Sequence, residues 1–136
     1  MIRRSLAIAL ALLCLAATGC GRGADRVDAT AVAERFFAAV GSGDGAAACR
    51  LLAPDTRKAL EDEEQKPCRD AIGGVEIDEA RPTAVELYLT NAQADLDNGE
   101  RAFLSRTTDG WRVSAAGCTT GEGPPEDVPM ECELEA

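Results

Sequence analysis

A chain of 136 residues with 24 acidic and 14 basic side chains carries a net charge of −10 and has room for one small domain. That balance argues against nucleic acid as a partner, because phosphate binding needs a basic surface that releases counterions, and it keeps the body off an anionic membrane surface. There is no histidine, which removes Ser-His and Cys-His nucleophile pairs, histidine-ligated zinc and the commonest general base.

The first residues have the parts of an export signal: Arg3 and Arg4, an apolar run from Leu6 to Leu15, then small residues. The run is roughly ten to thirteen residues, short of the roughly 20 that span a bilayer, so it is expected to be removed rather than retained. Its end, Ala17-Thr18-Gly19-Cys20, resembles the bacterial lipobox: an aliphatic residue, two small ones and a Cys. The match is close at Gly19 and Cys20; Ala17 stands where the family usually has Leu. The resemblance implies cleavage before Cys20, a diacylglyceryl group on its sulfur, a further palmitate-type chain on its amine, and a protein held on the extracytoplasmic face of the cell membrane. Two or more chains hold stably where one does not. The alternative is a plain secretory signal that leaves Cys20 an ordinary residue.

Cysteine parity bears on that choice. Cys14 leaves with the leader, and Cys49, Cys68, Cys118 and Cys132 remain in the body. With Cys20 acylated, an even four are left to pair; without it, an exported domain carries an odd thiol. Removal of 1–19 leaves 12 basic against 24 acidic residues, a net charge of −12. Residues 20–27, with two glycines and two arginines, read as a flexible tether. Only Phe36, Phe37, Tyr88, Phe103 and Trp111 are aromatic, so the core is modest and disulfides are expected to brace it.

The domain proper is expected over 28–117. Asp28 caps a helix in which Ala29, Val32, Ala33, Phe36, Phe37 and Val40 recur at helical spacing, stopped by Gly41-Ser42-Gly43-Asp44. A short helix over 46–52 breaks at Ala53-Pro54, and Asp55 caps a third, through Gln65. The run Glu61-Asp62-Glu63-Glu64 reads as a solvated helix face, since hard-cation loops space their oxygens around a turn. A further turn over 68–72 closes at Gly73-Gly74. Thereafter the period becomes alternating: a short strand Val75-Glu76-Ile77, then a longer one with Val85, Leu87 and Leu89 on one face. The apolar set shifts to Ala92, Ala94 and Leu96, which predicts a bulge or bend near Thr90-Asn91. Asp97-Asn98-Gly99 is a hairpin signal, a return strand covers 100–107, a second turn follows at Thr108-Asp109-Gly110, and Trp111, Val113 and Ala115 alternate in a last strand. The result is helices followed by a three-stranded meander.

Residues 118–136 are acidic, rich in Gly and Pro, and without apolar period; on their own they are expected to be disordered. A Cys118–Cys132 bridge turns them into a closed loop, with Cys49–Cys68 as the matching pair. Four cysteines allow three connectivities, and the sequence-adjacent one follows from the helices and the meander forming separate blocks.

The order of elements, together with Asp109-Gly110-Trp111-Arg112-Val113, then Ala116-Gly117-Cys118 and a late Cys132, resembles small bacterial lipoproteins with a domain of the nuclear transport factor 2 type. That family implies an α+β cone: N-terminal helices packed on a curved antiparallel sheet. It says little about activity, because the fold hosts isomerases, cyclases, dehydratases and non-catalytic modules. The departure from the family is the acidic loop after the last strand. Enzymes on this cone use a carboxylate with a phenol in an apolar pocket. Here Tyr88 is the only phenol, and alternation places it, Asp95 and Asp97 opposite their apolar neighbours, so they read as a solvated face. Phe36, Phe37, Tyr88 and Trp111 are the candidate pocket residues. No catalytic, metal or cofactor residue is assigned. The expected function is a lipid-anchored, non-catalytic module for a small apolar ligand or an envelope protein; the alternatives are an isomerase or cyclase of the same superfamily, or a structural adaptor for envelope machinery.

Overall fold

Helix α1 (Cys20–Ser42) sets the fold, because one of its faces is wholly apolar. Ala29, Val32, Ala33, Phe36 and Phe37 are each 4% exposed or less, and the two phenyl rings meet edge to face at 5.2 Å. This computed structural model describes residues 20–121 and 130–136; the expected leader 1–19 and the middle of the expected tail, 122–129, lie outside the described residues. The helix starts eight residues before Asp28, so Asp28 is interior and not a cap. Residues 20–27, expected as a slack tether, are instead its first two turns, tied down where Asp25 pairs with Arg106.

Gly43, at φ +72°, ends α1, and its N–H and that of Asp44 satisfy the carbonyls of Val40 and Ala39. The Asp44 carboxylate then accepts from the Ala47 N–H and starts α2 (Gly45–Arg50). Helix α3 (Pro54–Glu64) begins with proline at its first position and buries only Thr56 and Leu60. The acidic run on α3 is largely solvated, with Arg57–Glu61 and Lys58–Asp62 pairs one turn apart; Glu61 also accepts the Cys68 N–H at 2.9 Å and so caps α4 (Cys68–Ala71). Cys49 and Cys68 are joined, which fastens α2 to α4.

Residues 75–77 form no strand. The Ile77 N–H donates back to the Val75 carbonyl at 2.8 Å, which curls the backbone, although Ile77 itself is buried. The sheet is β1 (Pro82–Tyr88), β2 (Asn91–Leu96), β3 (Arg101–Thr107), β4 (Gly110–Thr120) and β5 (Met130–Leu134), antiparallel throughout and in chain order. It therefore has five strands, not three. The phase change near Thr90 is a reversal rather than a bulge: Tyr88 pairs with Asn91, and Leu89-Thr90 is a two-residue turn. Leu89, expected inside, is 92% exposed. The fifth strand comes from the stretch expected to be a loop, with Cys118 opposite Cys132 and the two bonded.

The inner face of β2 and β3 is a floor of Ala92, Ala94 and Ala102, with Ala94 paired to Ala102. Small side chains there let α1 lie close to the sheet, and Phe36 and Phe37 share one core with Leu104, Trp111 and Val113. The outer edge of β4 is closed twice. Its first half is met by the segment after α2: Ala53 donates to the Val113 carbonyl, Val113 donates to the Leu51 carbonyl (2.8 Å each), and the buried Thr56 hydroxyl donates to the Ser114 carbonyl. Its second half pairs with β5.

Two substitutions test these local arguments. Leu89 sits at φ +53°, a region that costs leucine about 1–2 kcal/mol and that asparagine tolerates. Leu89→Asn should raise the stability by about 1 kcal/mol and the melting temperature by roughly 4–8 °C; a lower melting temperature in a thermal scan would contradict the strained turn. Gly45→Ala should act against its helix propensity. Alanine ordinarily gains about 1 kcal/mol in a helix interior, but a Cβ at Gly45 falls 2.2 Å from the Arg69 carbonyl oxygen. A net loss of about 1–3 kcal/mol is expected in urea unfolding.

Candidate functional site

The four aromatic residues expected to line a pocket do not come together. Phe36 and Phe37 are fully buried and Trp111 is 3% exposed, so these three fill the space between α1 and the sheet. Trp111 closes the core at the start of β4 with the Arg106 guanidinium over its ring, 5.7 Å from the centroid. Tyr88 lies outside, 54% exposed at the end of β1. None of the four lines a cleft described below.

Alternation places Tyr88, Asp95 and Asp97 away from the core, and each has a local partner. The Tyr88 hydroxyl donates to Glu86, two residues back on the same strand, at 2.6 Å. Asp95 accepts from Gln93 and Arg101, both at 3.0 Å, in a half-exposed pair of the kind that contributes about 0–1 kcal/mol. Asp97 accepts the Arg81 N–H at 2.9 Å and fixes the approach to β1. The phenol is held above its usual range, first by the hydrogen bond to Glu86 and then by that carboxylate's charge. A phenol kept protonated in open solvent lacks the dry, preorganised surroundings that acid–base chemistry uses.

The body cysteines are all in the two bridges, so they are neither nucleophiles nor metal ligands. Among the described residues no group of three or more carboxylates and cysteines has a metal-holding arrangement, and no helix is long and apolar enough to cross a membrane. The side chain of Cys20, the expected lipidation point, lies outside the described residues.

Two clefts remain. One, between the end of α1, α2 and α4, has Val40, Ala48 and Ile72 in its wall with Arg69 at its rim, and its volume is about 130 Å³. Ligand pockets usually measure roughly 300–1,000 Å³, so it suits a few waters better than a cofactor. The other is an open groove of about 510 Å³ beside the β4–β5 ribbon, lined by Glu76, Asp78, Glu100 and Glu133 around Gly117 and Thr119. A smaller cleft beside it adds Glu63, Glu64 and Glu135. These carboxylates raise a negative potential that draws cationic groups and repels anions. The sequence reading missed this groove because it took 118–136 as a loop. The signal was present: Met130, Cys132 and Leu134 alternate with Glu131 and Glu133, the period of a strand.

Glu86→Gln removes both the charge and the strong acceptor, so the Tyr88 phenol should titrate at a lower pH in the variant than in the parent chain. Absorbance of the single tyrosine, followed as base is added, measures this; coincident curves would mean that the Tyr88–Glu86 bond does not persist in solution. Compared with known proteins, the chain matches no family model, no curated protein and no solved structure.

Proposed function

We propose that the chain is exported, cut before Cys20 and held by lipid on that residue at the extracytoplasmic face of the cell membrane, where its body serves as a non-catalytic module for another envelope protein. The observation that carries this reading is the pairing of Cys49 with Cys68 and Cys118 with Cys132. Two bridges suit an oxidising compartment beyond the cytoplasm, and they use every cysteine of residues 20–136 except the one that ends the lipobox-like stretch.

The fold on this reading is a cone of the nuclear transport factor 2 type whose concave side is occupied by its own helix. Phe36, Phe37 and Trp111 take the volume in which an enzyme of that superfamily would hold substrate, which favours contact over the surface against enclosure of a small apolar ligand. The isomerase or cyclase reading is supported by no carboxylate–phenol pair in a closed pocket, since Tyr88 and Glu86 meet in solvent. The acidic groove beside β5 is the charged part of the surface offered to a protein partner, and it favours one with a cationic segment.

The test is mass and partition in the native host. The membrane fraction should yield a species that begins at Cys20 and carries the mass of two or more acyl chains. Cys20→Ser should abolish both the acyl mass and the processing. A membrane species without added acyl mass, or unchanged partition of the variant, refutes the anchor.

A further inference from the structure

The three turns of the β1–β4 meander are not built alike. After β2 and after β3 the residue at positive φ is a glycine, Gly99 at +86° and Gly110 at +101°. After β1 it is Leu89 at +53°, 92% exposed, next to a half-exposed Tyr88. Glycine or asparagine there would relieve the backbone and remove an apolar side chain from water, so the leucine opposes both stability and solubility. Strain of this kind at an exposed position points to a contact made outside the fold.

The place of this turn in the molecule identifies the contact. The Thr90 carbonyl accepts the Arg106 N–H at 2.8 Å, and the Arg106 guanidinium pairs with Asp25 of α1. The Tyr88-Leu89 tip and the start of α1 therefore lie at one end of the sheet. From Asp25 the helix continues back to Cys20, about 7.5 Å at 1.5 Å per residue. Exposed Arg22 and Arg26 are on the same stretch of α1; of the nearby acids, Asp25 and Glu86 have partners, and Asp28 and Asp109 are exposed. The acidic groove, with Glu100 after the β2–β3 turn and Glu133 beside Gly117, is at the opposite end. This cluster of carboxylates is thus away from the tip, where Arg22 and Arg26 accompany the acids.

We propose that Tyr88 and Leu89 form a second, shallow contact with the lipid surface, the leucine at the acyl boundary and the phenol at headgroup level, seating the body with its acidic groove facing away from the bilayer. This rests on the anchored reading given above. The lipid is the occupant because the chain's attachment emerges at the same end as the tip; a protein covering the tip is the competing outcome.

The test uses the full chain purified from its host after processing and placed on vesicles of phosphatidylcholine and phosphatidylglycerol, with or without bromine on the acyl chains. Tryptophan is introduced as Leu89→Trp, as Tyr88→Trp, which keeps the readout without the left-handed backbone, and as Asn98→Trp at the far turn; the parent chain supplies the Trp111 background. Brominated lipid should lower the emission of the first two by roughly twofold, as expected for a ring within about 5–10 Å of the headgroup boundary, and leave the third quenched only by acrylamide. Acylated, vesicle-bound protein in which positions 88 and 89 are open to acrylamide overturns the tip contact and leaves the anchor standing. No acyl chain and no association with vesicles overturns both.

Discussion

The outer edge of β4 is the constraint on which the rest of the fold depends. A strand edge left open is a template for pairing with another chain, and this one is eleven residues long. Its two halves are closed by segments far apart in sequence: Leu51 to Thr56 on the first, β5 on the second. Each cover adds little apolar surface beyond one buried leucine, Leu52 in the first and Leu134 in the second. Each has a disulfide beside it instead. Cys49–Cys68 fixes the helix that leads into the first cover, and Cys118–Cys132 joins the second cover directly to the strand it protects. In the chain-entropy view each closure of this size contributes about 3 kcal/mol, comparable with a good share of a small domain's stability.

The filled interior follows from a second choice made in the sequence. With alanines at 92, 94 and 102, the sheet offers a shallow floor, and α1 settles onto it with both phenylalanines inward. Larger residues on those strands would hold the helix off and leave a chamber. Three of its five aromatic groups, Phe36, Phe37 and Trp111, close that space, and its polar chemistry is left on outer surfaces: a hydrogen-bonded strand face on one side and a carboxylate groove at one end.

Much of this was legible in the sequence, and the failures have physical causes. The inner face of α1 was plain from its spacing, as were the turns at Asp97-Asn98-Gly99 and Asp109-Gly110, where the backbone needs glycine. The cysteine pairs followed from the separation of helices and strands into blocks. The Leu89-Thr90 turn was hidden because it uses neither glycine nor asparagine, so its only trace was a shift of phase that a bulge explains equally well. Residues 75–77 alternate like a strand, yet among the described residues no strand pairs with them. Strand β5 was obscured by acidic composition, although its alternation was intact, since periodicity in five residues weighs little against so many carboxylates. The candidate pocket failed for a tertiary reason: burial of Phe36, Phe37 and Trp111 was predictable, but whether they line a void or fill one depends on how closely helix and sheet approach.

The continuity of α1 from Cys20 carries a mechanical consequence. A coil of eight residues between an attachment point and a domain would let the domain swing through a wide arc and meet neighbours at random angles. Two rigid turns of helix, clamped by Asp25 against Arg106, remove that slack. On the proposed attachment at residue 20, the body would take its orientation and height from that anchor through roughly 12 Å of stiff spacer.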